Sequence, residues 1–200
     1  IRSEVAGDTR RIWIHGKVST THNIRVIYNV PQLTHLRSTG SGQMDVSGLN
    51  GAPLTFVKTG SGQAMLSGRV GMLEVRSTGS GAVNAAGLYS QGASATLTGS
   101  GRITLGQVRG EQLSAHVKGS GDIEASGEVQ SLNASVSGSG DVHLARLTAQ
   151  RADLSTNGSG DISALVKQSL VAYGNGSGRI TVHGNPSQRN VSGKRVEVLN

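Results

Sequence analysis

One tripeptide, Gly-Ser-Gly, recurs eight times along this 200-residue chain at intervals of 18 to 20 residues. The copies begin at Gly40, Gly60, Gly79, Gly99, Gly119, Gly138, Gly158 and Gly176. A fixed period of this length is typical of repeat architectures, in which each repeat buries its apolar face only by stacking on its neighbours. The period therefore constrains the fold more than any other feature of the sequence.

Small and apolar residues occupy every second position around each copy. Around the fifth copy they are Leu113, Ala115, Val117, Gly119, Gly121, Ile123 and Ala125, with polar residues between them. A period of two sends alternate side chains to opposite faces of a strand. Parallel strands stack about 4.8 Å apart, so eight coils would form a rod of about 35 to 40 Å. We predict an all-β, single-domain parallel β-helix of about eight coils. The six-residue sub-repeat of left-handed hexapeptide helices is missing, which favours right-handed coiling.

The glycines of the repeat are interpreted as structural. An inward glycine permits a bend, a positive φ or a close backbone approach where a Cβ atom would collide. The serines between them are expected to form an outward ladder: Ser41, Ser61, Ser80, Ser100, Ser120, Ser139, Ser159 and Ser177. A catalytic serine occurs once and needs an adjacent base, and the chain contains no Gly-x-Ser-x-Gly elbow.

The whole chain, residues 1–200, is predicted to be one β-helix domain with three parts. Residues 1–33 contain apolar segments at 11–16 and 23–30, which we expect to be strands that cap the open end of the first coil. Residues 34–184 hold the regular coils. Residues 185–200 resemble a degenerate ninth coil, introduced by Pro186.

Composition and charge exclude several classes of function. With no cysteine, the chain has no disulfide or thiol chemistry. It has no apolar run long enough for a membrane helix. Its net charge of +7 is scattered and aromatics are only 2%, so nucleic-acid binding is not expected. A diffuse positive field suits a cell-surface or acidic polysaccharide, with a protein partner as the alternative. No cofactor is predicted.

Two further segments carry a resemblance to a known bacterial family. Residues 26–33, Val-Ile-Tyr-Asn-Val-Pro-Gln-Leu, precede the first Gly-Ser-Gly, and residues 176–186 read Gly-Ser-Gly-Arg-Ile-Thr-Val-His-Gly-Asn-Pro. Over about residues 10 to 198 the chain resembles the putative autotransporter adhesin head domain, the GIN domain. The resemblance implies an exported, surface-associated β-helix protein, and it defines no catalytic residues. The family's Asp after Gly-Ser-Gly is kept only at Asp122, Asp141 and Asp161.

These three aspartates are the strongest candidate for a chemical site. With coils in register, Arg102, Asp122, Asp141, Asp161 and Arg179 would lie one above another. We call Asp122, Asp141 and Asp161 the acidic column. Three stacked carboxylates repel, so flanking arginines, water or a bound cation must compensate. A solvated ladder neutralised at its ends is the favoured interpretation, because calcium requires six to eight oxygen ligands.

The function predicted from the sequence is a non-enzymatic, exported bacterial surface module with a structural or adhesive role. Any export signal would precede Ile1. The alternative is a carbohydrate-active β-helix enzyme, or a calcium-dependent glycan binder, that uses the acidic column. Constant coil length argues against a substrate cleft, since functional sites usually lie on long loops. The six histidines (His15, His22, His35, His116, His143 and His183) form no close pair suited to zinc.

Overall fold

The computed structural model describes residues 2–13, 26–27 and 29–199. The chain divides into two compact units, Ile1–Pro31 and Gln32–Asn200. In the first unit, strands β1 (Arg2–Ala6) and β2 (Thr9–Trp13) pair antiparallel. Gly7, at φ +55°, lies in the turn between them, and the Arg11 guanidinium lies over the Trp13 ring, 5.4 Å from its centroid.

The second unit consists of twelve strands and contains no helix among its described residues. They are β3 (His35–Thr39), β4 (Gln43–Asn50), β5 (Leu54–Thr59), β6 (Gln63–Gly79), β7 (Ala82–Gly99), β8 (Arg102–Gly119), β9 (Asp122–Gly138), β10 (Val142–Gly158), β11 (Ile162–Gly176), β12 (Ile180–His183), β13 (Gln188–Ser192) and β14 (Val196–Leu199). The long strands, β6 to β11, each make up nearly one complete repeat.

Every strand pair in this unit is parallel, and each coil pairs with the next one along the chain. The glycines that open the tripeptides are register partners in successive coils, as in Gly99 with Gly119 and Gly119 with Gly138. The prediction of an all-β parallel solenoid of about eight coils is therefore confirmed. Its handedness stays a prediction.

The Gly-Ser-Gly bends and shifts of register divide the coils into straight segments, and the pairing of β7 with β8 contains two such shifts. In the coil of β8 these segments are residues 102–105, 107–110 and 113–119. We call the corresponding outer surfaces side A, side B and side C. Side A follows each Gly-Ser-Gly, and side C leads into the next one.

The core is a narrow column of aliphatic side chains in the middle of the coils. On side C the alternation is as predicted, since Leu113, Ala115 and Val117 are buried while Lys118 is exposed. Phe56 is the largest fully buried side chain. The remaining core is Ala, Val, Leu and Ile, which explains how a chain with so few aromatic residues still forms a continuous core.

The terminal segments agree only partly with the sequence analysis. Strand β13 pairs with β11 and β14 pairs with β12, so the last strands stack on the preceding coil. The assignment of residues 185–200 to a degenerate ninth coil stays a prediction. The predicted strand over residues 23–30 is wrong for the residues described there, 26–27 and 29–30, which are exposed and not in a strand. Alternation alone does not make this segment a strand, since it precedes the Gly-Ser-Gly repeats that give each coil a stacking partner.

Of residues 11–16, the first three belong to β2, and the remainder lies outside the described residues. Capping of the first coil by the N-terminal segment stays a prediction. No helix in the described part of the chain is long and apolar enough to cross a membrane.

Candidate functional site

The Gly-Ser-Gly tripeptides form a corner where neighbouring backbones come unusually close. The first glycine of each copy has φ between +113° and +144°, a conformation that residues with a Cβ atom rarely adopt. A Cβ atom on Gly99 would lie 2.6 Å from the carbonyl oxygen of Gly79 in the preceding coil. The second glycine points inward, and a Cβ on Gly140 would collide with the Gly121 carbonyl oxygen and the Val117 side chain. Backbone packing therefore accounts for both glycines.

The serines of the tripeptides point outward, as predicted, and all eight are exposed. Their backbone N–H groups continue the ladder in several coils; that of Ser139, for example, donates to the Gly119 carbonyl at 2.9 Å. Their hydroxyls form no hydrogen bond with any described residue. The serine ladder is thus a solvent-facing edge with no base beside it in the described chain.

The residues that follow Gly-Ser-Gly stack in one column on side A, as the sequence predicts. Arg102 is the register partner of Asp122. The N–H of Ile123 donates to the Asp141 carbonyl, and that of Val142 to the Asp161 carbonyl, both at 2.9 Å. The acidic column therefore follows the solenoid axis.

Each carboxylate of the acidic column binds a group on a neighbouring coil. Arg102 Nη2 donates to Asp122 Oδ2 at 2.9 Å. The N–H of Asp161 donates to Asp141 Oδ1 at 2.8 Å, and the N–H of Arg179 donates to Asp161 Oδ1 at 2.7 Å. Asp141 and Asp161 thus accept backbone hydrogen bonds between coils, whereas Asp122 pairs with an arginine side chain.

The two arginines that flank the column act differently. Arg102 neutralises Asp122 with its side chain, as expected. The Arg179 guanidinium instead lies 3.6 Å from Glu197 Oε1 in the last coil, so only its backbone N–H serves Asp161. In the described part of the chain, no group of three or more His, Asp and Glu side chains is arranged to hold a metal ion.

One functional group of the interior was not singled out from the sequence. The Lys58 side chain is only 2% exposed, and its Nζ donates to the Gly60 carbonyl at 3.1 Å. Burial lowers the pKa of this ammonium group. Its register partner Ser77 is also 2% exposed, and the Ser77 Oγ atom has no hydrogen-bond partner. Lys58 lies two residues before Gly60, an inward position of the repeat, and that signal could have revealed it.

Side C presents a regular polar grid. In three columns it carries Thr55, Glu74, Ser94, Ser114, Asn133, Asp153 and Val171; Val57, Arg76, Thr96, His116, Ser135, Ser155 and Tyr173; and Thr59, Thr78, Thr98, Lys118, Ser137, Asn157 and Asn175. Short hydroxyl and amide side chains predominate, and the only opposite charges that pair within the grid are Arg76 and Glu74, 2.6 Å apart.

Side B carries an exposed tyrosine between two arginines. Tyr89 is 55% exposed, and it borders an open depression of about 250 Å³ together with Arg69, Gln91, Gln107 and Arg109. A second open depression, of about 370 Å³, lies where side A meets side B near Met65 and Asn84. The sequence analysis did not identify this cluster, because register across coils is needed to find it.

The histidines that the structure describes lie at different positions of the solenoid. His116 lies on side C, where its Nδ1 is 2.7 Å from Ser135 Oγ. His143 is a register partner of Glu124 and Ser163, and His183 is a register partner of Leu165. His15 and His22 lie outside the described residues.

Comparison with known proteins relates the chain to a solved structure and to a family. No curated protein sequence matches the chain. Its fold is similar to that of a putative lipid binding protein from Parabacteroides distasonis ATCC 8503, with a TM-score of 0.77 over 86% of this chain and 95% of that one. At 19% identity, this likeness shows the fold alone. The family model described as "Putative auto-transporter adhesin, head GIN domain" matches residues 16–108 and 91–186. The two matches together span most of the sequence, and the chain belongs to this family.

Proposed function

We propose that the protein is a non-enzymatic binding module that attaches to acidic polysaccharide through the regular sides of its solenoid. The observation that carries the proposal is the unbroken surface of side C, where three columns of mostly short polar side chains extend over seven coils. Hydroxyl and amide groups can both donate and accept hydrogen bonds. Repeated at the spacing of the coils, they offer an extended polymer many similar contacts.

The free energy of binding grows with the number of such contacts along one polymer. One hydroxyl–hydroxyl contact is weak in water, but successive contacts along one polymer become intramolecular after the first has formed. A long glycan chain lying along the solenoid would therefore bind more tightly than any of its short fragments. A polymer of identical sugar units therefore matches the repeated polar columns of side C.

The charge of the protein favours an anionic ligand. The chain carries 19 Lys and Arg residues against 12 Asp and Glu residues. On side A the acidic column would repel an anion, so sides B and C are the surfaces available to one. Attraction between exposed charges is screened beyond about 8 Å at physiological ionic strength, so binding should weaken as salt is added.

Cleavage of the polymer forms no part of the proposal. The spacing of 18 to 20 residues leaves no room in the regular coils for the long loops that usually form a substrate cleft. The aspartates that a glycosidase or lyase would need accept backbone hydrogen bonds or pair with Arg102. Export to the bacterial surface belongs to the same proposal, and the adhesin description of the family supports it.

The test is retention on, and product release from, matched polymers. Polygalacturonate is compared with its fully methyl-esterified form, which has the same backbone without the charge. We expect retention on the charged polymer only, a decrease of retention between low and physiological salt, and no new reducing or unsaturated ends. Release of oligosaccharides would overturn the non-enzymatic assignment. Equal retention on both polymers, or none on either, would overturn the choice of an acidic ligand.

A further inference from the structure

Tyr89 and its neighbours on side B form a cluster that the repeat itself does not require. Arg69, Tyr89 and Gln107 lie in one column on three successive coils, because Tyr89 is the register partner of both of the others. Arg109 lies two residues beyond Gln107 in the same strand. The two arginines are therefore separated by two coil spacings, about 10 Å along the axis, with the tyrosine between them.

Both arginines of the cluster lack an internal partner. Most arginines of the solenoid bind an acidic side chain, an amide or a carbonyl oxygen: Arg76, Arg102, Arg146, Arg179, Arg189 and Arg195. The side chains of Arg69 and Arg109 form no hydrogen bond or ion pair with a described residue. This holds even though Glu128 is the register partner of Arg109. Two exposed guanidinium groups beside one depression are thus free to bind an anion.

The exposed ring of Tyr89 adds a different kind of contact. An aromatic ring presents an apolar face with a negative quadrupole, and a polar hydroxyl at its edge. The C–H face of a pyranose ring can pack against such a surface. Tyr173 on side C is equally exposed, at 54%, but its register partners are Ser155 and Ser192 and it has no arginine among them.

We propose that this cluster is a subsite for one uronate residue of an acidic polysaccharide. The Tyr89 ring packs on the sugar ring. Arg69 or Arg109 binds the carboxylate in the bidentate geometry that a planar guanidinium provides. The amides of Gln91 and Gln107 donate to, or accept from, the ring hydroxyls. The assignment rests on the proposed function and deepens it, because it places one sugar unit at a defined point of the solenoid.

The test measures binding of a galacturonate oligosaccharide to the full chain by calorimetry. Tyr89→Ala, Arg69→Gln and Arg109→Gln are compared with matched controls outside the cluster, Tyr173→Ala and Arg151→Gln. Arg151 is exposed and forms no ion pair with a described residue. We expect Tyr89→Ala and at least one of the two arginine variants to weaken binding at least about ten-fold, as central aromatic and arginine contacts typically do. The controls should change it less than about two-fold, and Tyr89→Phe should retain most of the affinity.

Two further measurements separate failure of the site from failure of the function. Thermal melting verifies that each variant is folded, which we expect because the substituted side chains are exposed. If the wild type binds the oligosaccharide and Tyr89→Ala behaves like Tyr173→Ala, the subsite is refuted while the proposed function stands. If the folded wild type binds neither the oligosaccharide nor polygalacturonate, the proposed function fails and the subsite fails with it.

A carboxyl-reduced oligosaccharide should bind the wild type and the arginine variants equally weakly; a clear preference for the wild type would refute the carboxylate contact.

Discussion

The inward glycine of the repeat offers a direct test of how the coils pack. In Gly140→Ala, the new Cβ atom would lie 2.8 Å from the Gly121 nitrogen and 2.9 Å from Val117 Cγ1, and it would collide with the Gly121 carbonyl oxygen. The backbone atoms cannot move aside as a flexible side chain could. The coil must therefore shift along the axis, and the bonds between the coils must lengthen.

The expected loss of stability follows from these contacts. Overpacking of this kind costs about 1 to 3 kcal/mol. The N–H of Gly140 donates to the Gly119 carbonyl at 2.9 Å, and the N–H of Gly160 donates to the Gly138 carbonyl at 3.1 Å. Weakening one or both of these hydrogen bonds adds about 0.5 to 1.5 kcal/mol each. The total is about 1.5 to 6 kcal/mol, and at about 2 to 4 °C per kcal/mol the melting temperature should fall by about 3 to 24 °C.

The chain offers a matched control at the same position of the first copy. Gly42 has no coil before it, and a Cβ atom there would meet nothing within 4 Å among the described atoms. Gly42→Ala should be neutral or stabilising by about 0.4 to 1 kcal/mol, because it restricts the unfolded chain. Ser139→Ala, one residue from Gly140 but outward, should cost less than about 1 kcal/mol. Thermal melting of Gly140→Ala, Gly42→Ala and Ser139→Ala tests this argument. Equal decreases of melting temperature in Gly42→Ala and Gly140→Ala would refute it.

Three further outcomes are expected from the interior and from the acidic column. Lys58→Met should raise the urea midpoint at pH 7, since it removes a buried ammonium group. Burial lowers the pKa of Lys58 below its ordinary 10.5, so the unfolded state binds more protons than the folded state at pH values between the folded and the unfolded pKa. The stability of the wild type therefore rises with pH in that range, and the advantage of the variant should shrink there. Ser77→Ala should be neutral or stabilising in the same assay, because the hydroxyl it removes is buried without a partner. Asp141→Asn should change stability by less than about 1 kcal/mol and Asp141→Ala by more, since only the amide keeps an acceptor for the Asp161 N–H. Millimolar calcium should not raise the melting temperature of the wild type. A rise of many degrees that Asp141→Asn abolishes would instead identify a metal site.

Much of the solenoid was predictable because one constraint acts on every coil. A coil buries its apolar residues only if the next coil presents the same pattern in register, so the period and the alternation appear directly in the sequence. Leu113, Ala115 and Val117 could therefore be assigned to the core without any structure. The stacking of Asp122 beneath Arg102 followed from the same register.

Departures from the repeat could not be predicted with equal success. The alternation that places Phe56 in the core also places Lys58 there, yet a charged side chain is ordinarily expected at the surface. The aliphatic stem and one carbonyl contact make burial possible for this lysine. The prediction of a strand over residues 23–30 failed for the opposite reason: the segment is mostly apolar, yet its described residues 26, 27, 29 and 30 are exposed and lie outside any strand.

The function could be predicted less well than the fold, because the repeat does not constrain which residues occupy the outward positions. Ser120 and its equivalents are present in every coil and form no specific contact, whereas Tyr89 occurs once, between arginines that lie on the preceding and following coils. The coil-to-coil register places Tyr89 beside Arg69 and Gln107, and Arg109 lies two residues beyond Gln107. In the sequence, 20 residues separate Arg69 from Tyr89 and Tyr89 from Arg109. A site of this kind breaks the repeat pattern without disturbing the core. Singular outward residues, rather than the recurring ones, are therefore where specific recognition by a solenoid such as this one should be sought.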